Sequence, residues 1–517
     1  MLPSALDAYT QSIALVPRVV WLGATAGRRY EQIRSDVEGL AVEAASVAIS
    51  HQAYNQALEW LEEGRSIVWN QQLQLRTPIE NLALADPGLA EEFSSVSRAL
   101  DYASLLRAEE LPFGQDDMSL EQAAQQHRRL AEKWEEIVSK IQSLEGFHNF
   151  LCPRTASELT DSTRLGAVVV INVDSTRCDA LVLLPEHTTV LHVPLPTFSF
   201  EKSIAARARL EGSLRSQGLV NRGVTTARSG SGDTFEMILS MLWKDVAKPV
   251  VDFLGYNNVP PNGNLPHITW CTTGPLSFLP LHAAGEYNDP RSILHNLVVS
   301  SYTPTLSALL MPTRAPSSFS GVLGVSQTFT PGLPALPGTA SELDRIQKCV
   351  TNLPFTRLDG QEATRHAVLA SMGEHSWVHF ACHASQDTKD PTKSAFHLSD
   401  GALDLAEITK SPLRNAQFAF LSACQTATGD EALSNESIHL AAGMIMTGYQ
   451  SVVATMWSIH DKDAPIVAEK AYAYMLKGGV PDAQKAANAL HEAVGYLRAE
   501  VGDKAFAQWV PYIHIGQ

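Results

Sequence analysis

The stretch FAFLSACQTATGD, residues 418–430, decides how the C-terminal half is read. An apolar run, Phe418 to Leu421, breaks off in Ser422, Ala423 and Cys424, and small and polar residues follow. A short apolar run bounded in this way reads as a buried strand that stops abruptly. The stretch WVHFACHAS (377–385) has the same form, and its apolar run gives out at His383. Around these two lie further strand-like runs: SGVLGVSQTF (320–329), FTRLDG (355–360) and SVVATMW (451–457). Helical patterns fall between or after them, at 340–351, 362–372, 436–448 and 462–477. Such alternation predicts a mainly parallel sheet covered by helices on both faces. In such sheets ligands gather at the C-terminal ends of strands.

If the strands ending in His383 and Cys424 are parallel neighbours, an imidazole and a thiol meet at one sheet edge. A neighbouring imidazole raises the thiolate fraction of a cysteine and so makes it a nucleophile. Attack on an amide creates an oxyanion that needs donors already in place. The backbone N–H groups of Ala384 and Cys424 are the candidates. Free cysteine is also among the most often buried residue types, so a core thiol fits the same pattern.

Other residues have competing readings. His379 and Cys382, close to His383, suggest a metal site, but their odd spacing on a strand sends them to opposite faces. No metal site or cofactor is expected. GLVNRG and ARSGSGDT, within the Gly/Ser-rich loop 217–234, lack phosphate-loop spacing. His282 reads as structural. Ser422, Trp457, Asp461 and Asp463 are candidate substrate-binding residues. For the two aspartates, the other reading is capping of the helix that follows.

Upstream, AVVVINVD (167–174), DALVLLP (179–185), TTVLHVPL (188–195), HITWCTT (267–273) and NLVVSSYTPT (296–305) read as strands, with helices at 199–215 and 235–255. Residues 1–150 read as helical throughout. In AVEAASVAISHQAYNQALEWLEEGRSIVW (41–69), Ala41, Ala44, Ala45 and Ala48 form a small-residue face, and Ala57, Leu61 and Gly64 follow on the next helix. The pattern resembles a tetratricopeptide repeat. Ala5, Tyr9, Ser12 and Pro17 match the second helix of such a repeat, with no first helix before them. That predicts either the C-terminal part of a longer helical array or a degenerate capping helix.

The chain has 517 residues, enough for two to four domains. Its net charge of −16 disfavours a non-specific grip on nucleic acid or an anionic membrane. Mean hydropathy is −0.06, and no apolar run approaches the ~20 residues of a membrane span. The N-terminus lacks a signal-peptide pattern. Six scattered cysteines form no disulfide framework, which fits a reducing, cytoplasmic location.

The motifs WVHFACHASQD, HLSDGALDLAEI, FAFLSACQTATGDE and ESIHLAAGMIMTGYQSVVATMWSIHDKDA occur in that order. Upstream stand GPLSFLPLHAAGE (274–286), SYTPTLSALL (301–310) and LPGTASELDRI (336–346). Together they closely resemble the CHAT family, over about residues 155–517. The resemblance implies an α/β caspase-like domain, related to caspases, separases and gingipains, behind a TPR-like helical domain. It implies three parts: 1–150 helical, 151–315 a degenerate caspase-like half, and 316–517 the half with a His383–Cys424 dyad. Where such peptidases usually have glycine after the histidine, this chain has Ala384. The implied function is a cysteine endopeptidase acting on a protein or peptide and regulated by a protein partner at the helices. A pseudoprotease scaffold is the alternative, favoured by Ala384 and opposed by the intact His383 and Cys424.

Overall fold

The structure, a computed structural model, describes residues 4–104, 120–219, 232–260, 263–311, 319–387, 390–411, 413, 415–423 and 440–517. Cys424, most of the Gly/Ser-rich loop, and the start of the helix expected at 436–448 lie outside the described residues.

The strands in chain order are β1 (Ala167–Val173), β2 (Cys178–Leu183), β3 (Leu191–Pro194), β4 (His267–Thr272), β5 (Val299–Tyr302), β6 (Val322–Ser326) and β7 (Phe355–Asp359). Then come β8 (Trp377–Ala381), β9 (His383–Ser385), β10 (Ala395–Leu398), β11 (Gly401–Asp404), β12 (Phe418–Ser422), β13 (Ser451–Thr455) and β14 (Tyr512–Gly516). Eleven of them form one sheet, in the order β3-β2-β1-β4-β5-β14-β13-β12-β8-β6-β7. Within it, β1 with β2, β2 with β3, and β13 with β14 are antiparallel, and the other neighbours are parallel. The mainly parallel sheet expected from the alternation is present. β9, β10 and β11 form a separate small antiparallel sheet.

The last strand joins the two halves: β14 pairs with β13 on one side and β5 on the other. His514, on β14, spans this seam. Its Nδ1 is 2.6 Å from Ser301 Oγ and its Nε2 2.7 Å from Ser451 Oγ, and His267 Nε2 lies 2.7 Å from the same Ser301 hydroxyl. Burial pushes the His514 imidazole down to about 3 and that of His267 to about 4, so both rings are neutral at physiological pH.

The region before the sheet is helical where described, as its alanine-rich pattern predicts. Helices Leu40–Ser50 and Tyr54–Glu63 pack closely: a Cβ on Gly64 would stand 2.2 Å from that of Ala41. This pair also covers the sheet. Alternation along β1 puts Val168 and Val170 in one cluster with Ala44, Ala45 and Leu58, while Val169 and Ile171 join the core on the opposite face. Polar groups lock the contact. The Glu62 carboxylate accepts from the N–H groups of Leu306 and Ser307, and Asn172 Nδ2 donates to Val42 O and Ser46 Oγ. Helices Pro87–Ser104 and Leu120–Gln142 build a further cluster around Phe93 and Trp134.

Candidate active site

β8 and β12 are parallel neighbours in level register, from Phe418 opposite Trp377 to Ser422 opposite Ala381. His383 lies two residues beyond Ala381, and in the sequence Cys424, outside the described residues, follows Ser422 by two. Adjacent strands lie about 4.8 Å apart, so the two chains leave the sheet side by side. Neighbouring strands tie down both exits. The Gln327 N–H, just past β6, donates to Ala381 O at 2.9 Å, and Thr455 Oγ1, at the end of β13, donates to Ala423 O at 2.6 Å.

Beyond β8 the chain turns into β9, where His383 pairs with His397 and Ala384 with Phe396. The stacked rings of Phe380 and Phe396, 4.1 Å apart, fix the small sheet over β8. His383 is 5% exposed, and its Nε2 lies 2.7 Å from the Pro334 carbonyl oxygen. A carbonyl only accepts, so Nε2 carries the proton and a neutral ring presents its lone pair at Nδ1. Burial and the nearby His383 both lower the pKa of His397.

The other expected site residues are placed as follows. Ala384 is half-buried in β9, and Ser422 is fully buried at the end of β12. Trp457 is buried, packs on Phe235 and donates from Nε1 to Ala507 O at 3.2 Å. Asp461 reaches across to another helix. Its Oδ2 accepts from the N–H of Gly338, at the start of helix Gly338–Cys349. Asp463 is buried at the N-cap position of helix Ala464–Met475 without a side-chain cap bond, and burial raises its carboxyl. His379 Nε2 lies 3.0 Å from Glu342 Oε1, both side chains fully buried. His282 is structural, bridging Tyr302 Oη at 2.8 Å and Val510 O at 2.9 Å.

Among the described residues, Cys152, Cys178, Cys271 and Cys349 form no disulfide. Burial pushes Cys178 up to about 12 and raises Cys271 and Cys349 as well, so these three are poor nucleophiles. Sequence reasoning missed Pro334 and Thr455. The first acts through a backbone carbonyl, which leaves no side-chain signal. The second is one threonine in a β-branched strand.

A mainly parallel sheet between helices, with His383 just past the end of β8 beside β12, places the C-terminal part in the α/β class. Residues 236–517 match the family model of the CHAT domain, and the chain belongs to that family. No curated protein matches the chain. Among solved structures it is similar to separase of Saccharomyces cerevisiae in complex with securin, at 11% identity and TM-score 0.49, over 92% of this chain and 38% of that one. It is also similar to the RgpB pro- and mature-domain complex of Porphyromonas gingivalis, at 10% identity and TM-score 0.37, over 61% of this chain and 76% of that one. The chain thus spans well under half of the separase chain.

Proposed function

We propose that the chain is a cysteine endopeptidase with Cys424 as nucleophile and His383 as its base. The level register of β8 with β12 carries this reading. The Cys424 thiol gives its proton to His383 Nδ1, and the sulfur attacks a peptide carbonyl. His383 then protonates the leaving amine, and the carbon–nitrogen bond breaks to leave an acyl-enzyme. Water, deprotonated by the same imidazole, releases the acid and restores the thiol. The N–H groups of Ala384 and Cys424 would hold the oxyanion.

The substrate on this reading is a protein or peptide, and the TPR-like helices receive a regulatory protein partner. Arg76, on helix Ile67–Leu75's C-terminal cap, supports a regulatory role: it bonds both Asp101 and the carbonyl of Thr409, near the small sheet that carries His383. The free thiols fit a reducing, cytoplasmic setting. Among the described residues, no helix is long and apolar enough to cross a membrane.

A thiol-directed peptide ketone tests the reading. It should label the wild type, fail on Cys424→Ala, and label His383→Ala at least about 100-fold more slowly. Labelling that survives Cys424→Ala, or none in the wild type, ends the proposal. The scaffold reading gains from that second outcome, and Ala384 is the residue that favours it.

A further inference from the structure

The segment between β6 and helix Gly338–Cys349, residues 327–337, is an ordered strap beside His383. Three prolines, Pro331, Pro334 and Pro337, restrict its backbone. At its start the Gln327 N–H is held by Ala381 O, and the Gln327 side chain donates to Phe329 O at 3.0 Å. Leu336 is fully buried, and its N–H returns to Thr328 O at 2.9 Å. At its end Asp461 holds the N–H of Gly338. A tight turn, Leu333 N–H to Thr330 O at 3.1 Å, forms the middle.

This anchored strap turns two large apolar side chains outward. Phe329 is 74% exposed and Leu333 is 40% exposed. Single exposed apolar residues are ordinary. Two of them flanking one turn, on a loop whose ordering cost is already met, form a small patch with a fixed place. That place is next to the candidate base. Leu333 directly precedes Pro334, whose carbonyl is 2.7 Å from His383 Nε2. Consecutive Cα atoms are about 3.8 Å apart, so the patch starts one residue from the imidazole.

We infer that Phe329 and Leu333 form a subsite for a large apolar side chain of the substrate peptide, such as Leu, Met or Phe. The inference rests on the endopeptidase reading. An extended peptide advances about 3.3–3.6 Å per residue, so the recognised side chain lies within two or three residues of the scissile bond. The subsite is open on one side, so its discrimination sits at the low end for an apolar contact, about tenfold over alanine. It selects by contact area alone, and therefore tolerates exchange among apolar side chains of similar size.

The test is a synthetic peptide library, cleaved by the full chain and by a Phe329→Ser/Leu333→Ser double variant. Wild-type cleavage should favour Leu, Met or Phe over Ala about tenfold at one fixed position. The double variant should lose that preference, and Phe329→Leu should keep it. Ketone labelling of Cys424 reports separately on the endopeptidase reading. If Cys424 is labelled and peptides are cleaved, but the preference is absent or survives the double variant, the subsite is overturned and the endopeptidase reading stands. If neither labelling nor cleavage occurs, the endopeptidase reading falls, and Cys424→Ala protein retained on the immobilised library decides the rest. Retention of apolar peptides that the Phe329→Ser/Leu333→Ser change abolishes supports a peptide-binding patch. Retention indifferent to that change, or none, overturns it.

Discussion

Replacing Glu342 by leucine removes the partner of His379 beneath the strand that leads to His383. Glu342 and His379 are both 0% exposed and 3.0 Å apart. The substitution keeps roughly the same volume, and both residues are good helix formers, so helix propensity nearly cancels. It leaves the His379 Nε2–H without its acceptor, which costs about 1–3 kcal/mol. The converse change, His379→Phe, takes one partner from a buried carboxylate and costs about 1–3 kcal/mol. Making both changes removes both polar groups. The new phenyl ring would lie where the imidazole now stands, 4.8 Å from Phe420 and 5.7 Å from Tyr472 between ring centres. The double variant should therefore lie within about 1.5 kcal/mol of the wild type, because both partners are gone. Urea unfolding of the four proteins gives the cycle, read as changes in midpoint at constant m-value. A double variant as unstable as the sum of the two singles would refute the pairing.

Three further outcomes follow from the same geometry. Gly338→Ala places a Cβ 2.2 Å from the Asp461 carbonyl oxygen, so despite the better helix propensity of alanine it should cost about 1–2 kcal/mol in urea unfolding; a gain in stability would contradict the packing. Asp461→Asn keeps an acceptor for Gly338 but loses the charge at a helix N-terminus, and should cost about 0.3–1 kcal/mol while leaving the cleavage preference at the scissile bond unchanged; a lost preference for basic residues would return Asp461 to the substrate pocket. His514 has its folded-state pKa depressed from 6.5 to about 3, so its stabilising contribution is complete above about 6.5 and is lost as pH falls toward 3. Unfolding midpoints of His514→Gln should therefore fall less than those of the wild type over that interval, and parallel curves would show that the seam does not titrate.

The strands β1, β8, β12 and β13 were legible because each is a short apolar run between turn residues. The same signal placed His383 and Cys424 beyond the ends of two strands. It did not reveal β14. Tyr512–Gly516 is short, and the strands it joins, β5 and β13, are distant in sequence. Its alternation is broken by a histidine that is buried through hydrogen bonds to two serines, which only the assembled sheet supplies. β9 to β11 are three or four residues each, too short for periodicity to register. The small residues of helices Leu40–Ser50 and Tyr54–Glu63 foretold their close approach. They carried no sign that the same pair covers β1, because an alanine-rich face suits a helix or a sheet equally well.

The helices grip the two halves of the sheet differently, and the difference bears on regulation. Over β1 the contact is a buried apolar layer reinforced by Glu62, Asn172 and Arg65, whose Nη1 donates to Cys271 Sγ at 3.0 Å. Breaking it exposes core surface, so this part moves as one body with the sheet. Near the candidate site a more polar link joins the helices to the α/β part. Arg76 binds Asp101 of helix Pro87–Ser104 at 2.8 Å and the Thr409 carbonyl of helix Leu405–Lys410 at 3.0 Å. That second helix follows directly on β11, which pairs with β10, which pairs with β9 and His383. A partly exposed ion pair is weak, on the order of 1 kcal/mol, and can exchange partners without opening a core. A continuous path carries coupling only where some element has two arrangements of similar energy. Of the two contacts, the Arg76 link is the one that can part without exposing core surface, so on the proposed reading a partner at helix Pro87–Ser104 would act on the imidazole through Arg76.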